Sequence, residues 1–417
     1  MSLNEIRLRA KEAQISNILT EEYDDFHGFV PWDDKQPQLA LVPQRHTVEN
    51  RVVDMSEVQP NAGFSSSTFL NGAVVDFRLD TADISVIDHA FLACNITNST
   101  GGAVSLPPTA FWFDRIEILS PNMSTLATIY DTDLWQSVCM LPKSDFDSLA
   151  ALMSTTTAYS TAGVSISNNT TSELYLPLIT LLNAARLHLS GITGAMTFRF
   201  RSKSSALTLI SGTHPTFTKV VMLLSGFDEP QSKRSARTAF YKGLVPRFQN
   251  TPMYFPFYAW DHFTQTQTLT ASVKSDIKLS GLQGMFSAIF IIIRASPLTA
   301  ANQGTFLAID TLAVADESGA IFCGNHTKSH ARSRIIAASQ LQNQAALSSN
   351  FYMIPFSSAV VNDFVTGQVH GYQVFKGNEV LSITPGSTFA SGSCQIDVLA
   401  LRGNALRVLK GIVEKRQ

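Results

Sequence analysis

One charged stretch divides the chain: Asp228 to Lys242, reading DEPQSKRSARTAFYK, with short apolar segments broken by Ser, Thr, Asn and Gly on both sides of it. It has no apolar periodicity, opens with Pro230 and carries Lys233, Arg234, Arg237 and Lys242. Such a stretch reads as an exposed connection between two units. The units it separates have similar length and the same β-type texture, so the chain is expected to hold two β-rich domains in tandem.

A chain of 417 residues is long enough to bury two cores without staples. Cys94, Cys139, Cys323 and Cys394 are scattered and form no CxxC pair, which fits reduced thiols rather than a disulfide scaffold. Only 15% of residues are charged while 45% are hydrophobic, with 27 Phe, so more apolar surface must be hidden than a monomer of this size usually hides. Large contacts with other subunits are the expected outlet. A formal net charge of -2 argues against nucleic acid as the main ligand, because phosphate binding needs a concentrated basic face. Charged residues from Glu5 to Glu12 stand where a secretory signal would be apolar, so no signal is expected. The longest apolar run, Met285 to Ile293, is nine residues, about half of what spans a bilayer as a helix.

Met1 to Leu19 reads as an amphipathic helix with Ser2 and Glu5 at capping-box spacing and Leu3, Ile6, Ala10 and Ala13 on one face. It can pack on its own domain or lie as an arm on a neighbour or a membrane surface. The acidic strap Glu21 to Asp34 follows. Strands are expected over Thr68 to Leu79, Ile84 to Asn95, Phe111 to Ser120, Met196 to Arg201 and Thr216 to Leu224. In Met196 to Arg201, Phe198 and Phe200 fall on one face and Arg199 and Arg201 on the other. Helical signals interrupt over Asp131 to Met153, and Ser154 to Ser172 reads as a polar, exposed loop. The second half repeats the plan with strands at Phe255 to Phe263, Gln267 to Leu279, Met285 to Ala295 (buried on both faces), Gly371 to Phe375, Glu379 to Ile383 and Ser393 to Leu401. A helix is expected from about Ala331 to Ala346. Tyr175-Leu-Pro-Leu leading into a helix to Leu187, and Tyr352-Met-Ile-Pro-Phe leading into a helix to Val365, form a weak internal repeat.

Many short strands with polar turns, and one or two short helices per unit, predict an all-β chain with minor helices: two tandem eight-stranded jelly-roll β-barrels. The expected boundaries are an N-terminal helix and strap over 1–50, a first jelly roll over 51–227, a linker over 228–247, a second jelly roll over 248–402 and a basic amphipathic C-terminal tail over 403–417. Over Leu401 to Gln417, Leu406, Leu409, Ile412 and Val413 make an apolar stripe, and Arg402, Arg407, Lys410, Lys415 and Arg416 a basic face. It reads as a solvated helix, or as a segment docked on a neighbour, a lipid surface or nucleic acid. Its removal from Leu406 onward is expected to leave subunit association intact and to impair contacts beyond it.

Signatures of catalysis are missing: there is no GxSxG, GxxxxGK[ST], GxGxxG after a strand, or HExxH. Cys323, His326 and His330 have zinc-like spacing without a fourth ligand. Asp131 with Asp133, and Asp145 with Asp147, sit at expected helix starts, where carboxylates serve as caps. Asp261 and His262 are adjacent in an expected strand and so point to opposite faces. Asn95, Asn98, Asn122, Asn169 and Asn325 lie in N-x-[ST] sequons of the kind a Ser/Thr-rich chain produces by chance. No catalytic residue, cofactor or metal is expected.

The two jelly rolls, the Pro-bearing segments Tyr175 to Leu187 and Tyr352 to Val365, the N-terminal helix and the basic end together resemble the double jelly-roll major capsid proteins of the adenovirus-hexon-like lineage of tailless icosahedral DNA viruses. The resemblance implies a homotrimer whose six barrels form a pseudohexameric capsomer of the virion shell, assembled inside the host cell. It implies as partners the chain itself, neighbouring capsomers, minor capsid and vertex proteins, and an internal viral membrane or genome met through basic termini. Arg7, Arg9, Lys11, Lys233, Arg234, Arg237, Arg407, Lys410, Lys415 and Arg416 are the expected inner-face contacts. Two other readings remain at this stage. A two-jelly-roll coat protein of a small RNA virus would usually carry an Arg-rich arm, and a two-domain β-sandwich carbohydrate-binding protein or enzyme would need paired carboxylates or aromatic platforms.

Overall fold

The computed structural model describes residues 51–61, 64–65, 69–79, 86–130, 163–178, 189–228, 238–239, 241–244, 249–250, 252–319, 321–327, 350, 352–356 and 372–416. Its first half contains β1 (Arg51–Val58), β2 (Val74–Leu79), β3 (Val86–Asn98), β4 (Val104–Leu106), β5 (Phe113–Leu119), β6 (Thr125–Tyr130), β7 (Val164–Ile166), β8 (Thr170–Leu178), β9 (Met196–Ser202) and β10 (Thr216–Asp228). One sheet runs β1-β10-β3-β8 and a second β2-β9-β5-β6, with a two-stranded ribbon β4-β7 beside them. The second half contains β11 (Met253–Leu269), β12 (Ser275–Lys278), β13 (Gln283–Phe286), β14 (Ala288–Ala295), β15 (Thr311–Ala315), β16 (Ile321–Thr327), β17 (Tyr352–Pro355), β18 (Gln373–Lys376), β19 (Val380–Thr384), β20 (Gly392–Leu409) and β21 (Ile412–Arg416). Its sheets run β11-β20-β14-β17, with β21 also on β20, and β12-β19-β15-β16, with a ribbon β13-β18.

Eight strands of each half match in order and position, β1-β10-β3-β8 with β11-β20-β14-β17 and β2-β9-β5-β6 with β12-β19-β15-β16. In each half the chain crosses between these two antiparallel sheets at nearly every connection, which is jelly-roll wiring. The ribbons differ: β4-β7 and β13-β18 arise from different connections and so are additions to a common plan.

Period-2 patterning explains the inner faces. In β9, Phe198 and Phe200 are buried while Arg199 is half-exposed and Arg201 exposed. Phe200 packs edge-on to Phe77 and Phe113 inside the first barrel. In β14 both faces are buried, each against a different core. Ile289, Ile291 and Ile293 meet Ile396, Val398 and Ala400 inside the second barrel. On the other face, Ala288, Phe290 and Ile292 join Leu399, Leu401 and Trp260 in a cluster continuous with the first barrel's core. The two barrels are therefore welded through one apolar face of the sheet β11-β20-β14-β17. Burying Phe290 there contributes about 1.5–3 kcal/mol.

Several expectations need correction. The C-terminal segment is no helix and no free tail: β20 runs on to Leu409, turns at Lys410 and Gly411, and returns as β21. The spacing of Leu406, Leu409, Ile412 and Val413 mimics a helical stripe, but Lys410 (φ 53°) and Gly411 (φ 77°) form a two-residue turn of the primed type that joins strands. Leu406, Val408 and Val413 are buried in the cluster shared with the first barrel. Tyr175 to Leu178 is strand rather than helix entry: it ends β8, with Pro177 opposite Phe91 on β3, and the helix expected to follow it lies outside the described residues. Tyr352 to Pro355 is likewise strand β17, opposite β14. The repeat thus marks equivalent strands, since β8 and β17 occupy the same sheet position. The expected loop Ser154 to Ser172 contains β7 and the start of β8 in its described part. The expected strand Met285 to Ala295 is two strands, split at Ser287, whose N–H bonds Leu401 O at 2.8 Å. The expected strand Gln267 to Leu279 is also divided, between the end of β11 and β12. The N-terminal helix, the helical signals over 131–153 and the helices expected over 179–187, 331–346 and 357–365 lie outside the described residues.

Gly411 fixes how the hairpin end sits on the first barrel. Its N–H bonds Tyr241 O at 2.7 Å and its carbonyl accepts the Thr193 N–H at 2.8 Å. A Cβ there would run into Thr193 Oγ1 as well as take an unfavourable φ. Gly411→Ala is expected to destabilise the protein by about 1–3 kcal/mol. The urea midpoint should fall with an unchanged slope; a wild-type midpoint would show that the turn relaxes freely.

Candidate assembly surfaces

The seam between the barrels holds a buried polar chain within its apolar surround. Arg294 and Asp397 are both fully buried, with Arg294 Nη2 donating to Asp397 Oδ2 at 2.7 Å. His262 Nε2 lies 3.2 Å from Asp397 Oδ1, and Gln395 Nε2 donates to both carboxylate oxygens at 3.0 and 3.2 Å. Burial alone would raise the pKa of Asp397, but Arg294, His262 and Gln395 hold it well below the usual carboxylate range. On the other side, Arg294 Nη1 donates to Gln303 O at 3.4 Å. Gln303 Nε2 donates to Leu207 O at 2.8 Å and its Oε1 accepts from buried Lys203 at 3.2 Å. Lys203 and Leu207 follow β9 in the first barrel, so this chain of bonds ties one barrel to the other. Tyr130 of β6 stacks at a tilt on His262, ring centroids 5.6 Å apart.

The loose ends of both barrels gather at one pole. Arg51 at the start of β1 pairs with Asp228 at the end of β10, and Met253 at the start of β11 pairs with Val408 near the end of β20. The segments before Arg51 and after Asp228 therefore join the fold side by side, at the pole that carries the C-terminal hairpin.

The predicted inner-face residues divide accordingly. Arg7, Arg9, Lys11, Lys233, Arg234 and Arg237 lie outside the described residues. Arg407, Lys410, Lys415 and Arg416 share the hairpin. Arg407 pairs with Glu414 at 3.4 Å, and Lys410 occupies the turn. Lys415 is half-buried, and its pKa is lowered by burial and by Arg402, against the pull of Asp261. Asp261 bonds Arg402 at 3.3 Å, and burial raises its pKa against those two cations. Asp261 and His262 thus serve separate clusters, as adjacent strand residues must.

The described thiols lie inside the barrel cores. Cys94 is buried in the first core and burial pushes its thiol up; Cys394 is shifted the same way. Cys323 and His326 fall on β16, and His330, Asp131, Asp133, Asp145 and Asp147 lie outside the described residues. Among the described residues no group of three or more His, Cys, Asp or Glu could hold a metal ion, and no helix is long and apolar enough to cross a membrane.

Sequence reasoning passed over Arg294, Asp397, Lys203 and Gln303. A signal was present for one: Arg294 ends a run that is apolar on both faces, and a charge in a doubly buried strand demands a partner.

Fold and seam together define a double jelly-roll protein, two barrels of one wiring fused through the outer face of a single sheet. No protein-family model matches the sequence, and no curated protein matches it. Solved structures do. The PBCV-1 virus capsid protein aligns with a TM-score of 0.64 at 12% identity, over 90% of this chain and 98% of that one. The Faustovirus major capsid protein aligns at 0.60 and 9%, over 96% and 98%. A chain of the Sputnik virophage structure aligns at 0.54 and 11%, over 94% and 93%. At these identities the likeness establishes the fold, across nearly the full length of both partners.

Proposed function

We propose that this chain is the major capsid protein of a tailless icosahedral virus, a structural rather than catalytic protein resident in the virion shell. The observation that carries this is the tandem pair of barrels with the same eight-strand wiring, an architecture shared along nearly the whole chain with capsid proteins of PBCV-1 and Faustovirus. The seam supports it. The outer face of the second barrel's sheet meets the β6 side of the first, a head-to-tail contact between unlike faces. Contacts of that type generate rings when repeated. Three subunits would supply six barrels for a pseudohexameric capsomer. The low charge and apolar richness of the sequence suit the interfaces this needs. Minor capsid and vertex proteins, an internal membrane or genome would be met at the pole where the chain ends and the basic hairpin gather.

The test is solution mass with electron microscopy. Three copies of the 45.5 kDa chain give about 137 kDa, and hexagonal particles should be visible. A stable monomer with hydrolase activity would sink the proposal.

A further inference from the structure

At the pole opposite the chain ends, the seam is tied through one helical turn of the first barrel, and a histidine stands beside that turn. Ser205–Thr208 follows β9, and its carbonyls receive two ties from the second barrel. Ala206 O accepts from the Ala300 N–H at 3.1 Å, and Leu207 O from Gln303 Nε2 at 2.8 Å. The turn is held to the first barrel by fully buried Thr208, whose Oγ1 donates to Leu70 O at 2.6 Å, with Ser204 O at 3.2 Å. With that hydrogen committed, the Thr208 oxygen is left as an acceptor, and His214 Nε2 lies 3.5 Å from it. This pairing suits a neutral imidazole with its hydrogen on Nε2. The other ring nitrogen, Nδ1, is shut off from solvent and has no hydrogen-bond partner among the described residues.

Protonation has to place a second N–H, and a charge, at Nδ1, where nothing accepts it. Burial lowers the pKa of His214, and no neighbouring charge offsets this. Thr208 on the turn and the carbonyl of Leu70 are uncharged. The ionised side chains nearest along the chain, Lys203 and Lys219, are turned to Gln303 and Glu57. A charged His214 is relieved by swinging out to water, which withdraws it from Thr208 and frees the turn that presents Ala206 O and Leu207 O. We propose that His214 is an acid-sensitive pin: when it takes up a proton, the turn Ser205–Thr208 lets go of Ala300 and Gln303, and the seam opens at this pole while the rest of it holds. The inference goes beyond the capsid reading and does not depend on it. Linkage sets the sign. The opened form titrates near the ordinary histidine value of about 6.5 and the closed form lower, so the pin is fully set above about pH 6.5 and is lost as pH falls toward the closed form's value.

Two measurements on the full-length protein, between about pH 8 and pH 4.5, test this. Exchange of the imidazole C2 hydrogen, followed peptide by peptide by mass spectrometry, gives the titration midpoint of His214 itself. Amide exchange, corrected for its intrinsic pH dependence, gives the protection of Ala300. That protection should begin to fall near pH 6.5, by up to about tenfold per pH unit, and level off at the His214 midpoint. The Gly411 amide, bonded to Tyr241 O at the other pole, should keep its protection over the same range. His214→Gln and His214→Asn cannot take up a proton, and both should keep Ala300 protected throughout. If Ala300 protection is flat with pH, or levels off at the midpoint of another histidine, the pin is overturned. It is overturned too if Ala300 and Gly411 lose protection together, since acid then unfolds the whole chain, or if either folded variant responds as the wild type does. Should neither variant fold, the wild-type match between Ala300 protection and the His214 midpoint still decides. None of these results bears on trimer formation, by which the capsid reading is tested separately.

Discussion

Asp397→Ala should destabilise the protein by about 3–5 kcal/mol, because it leaves Arg294 charged and fully buried without its carboxylate. A loss of that size is a large fraction of the stability of an ordinary domain. Arg294→Met should cost a similar amount by stranding the carboxylate instead. The double variant Arg294→Met with Asp397→Leu is the informative control. It removes both charges and fills the space with apolar atoms, so it should recover most of the loss and can equal the wild type. Urea unfolding of the three variants reads this as a strongly non-additive cycle; additive losses would mean that the two groups do not act as a pair. The pH dependence has a definite sign. A carboxylate whose folded pKa is depressed contributes stability that is fully present above the unfolded value, near 3.9, and lost as pH falls through the folded value. The wild type's advantage over Asp397→Ala should therefore hold steady from about pH 8 to pH 5 and shrink only in stronger acid. A loss beginning near pH 6 would point to a different group.

Deleting residues 406–417 should prevent recovery of soluble trimers, contrary to the expectation drawn from sequence for a free tail. The deletion removes Leu406, Val408 and Val413, all buried in the cluster that joins the barrels. At about 1.5–3 kcal/mol for each side chain, the loss is comparable with a domain's whole stability. It also strips the start of β11 of its hydrogen-bonded neighbour from Met253 to Phe255 and breaks the Gly411 bonds to Tyr241 and Thr193. An exposed, apolar edge strand of this kind promotes aggregation. Expression of the truncated chain with size-exclusion chromatography is sufficient: a soluble trimer with a wild-type melting temperature would show that the hairpin is dispensable.

Much of the architecture was legible in the residues. The β texture of both halves, the inward Phe198 and Phe200, and the doubly buried strand ending at Arg294 all follow from local patterning. Alternation is imposed by the pleat of each strand separately and needs no knowledge of its neighbours. Two kinds of feature were not legible. The segment from Leu406 to Val413 carries spacings that satisfy a helix and a hairpin alike, and only its burial against Tyr241, Thr193 and the first barrel's core selects the hairpin. Tyr175 to Leu178 was ambiguous in the same way until its pairing with β3 was seen.

The seam belongs to the second kind. Arg294 and Asp397 are 103 positions apart, and Lys203 and Gln303 are 100 apart. Nothing in either neighbourhood names the partner, although Arg294 announces that one must exist. By itself the sequence determined two β-rich units and their inner faces, because those depend on contacts within a strand or turn. The tertiary structure alone decided which outer face became a second core, which charges were buried together there, and that the chain's end closes the seam. Those outcomes depend on surfaces that exist only after both barrels have folded and met.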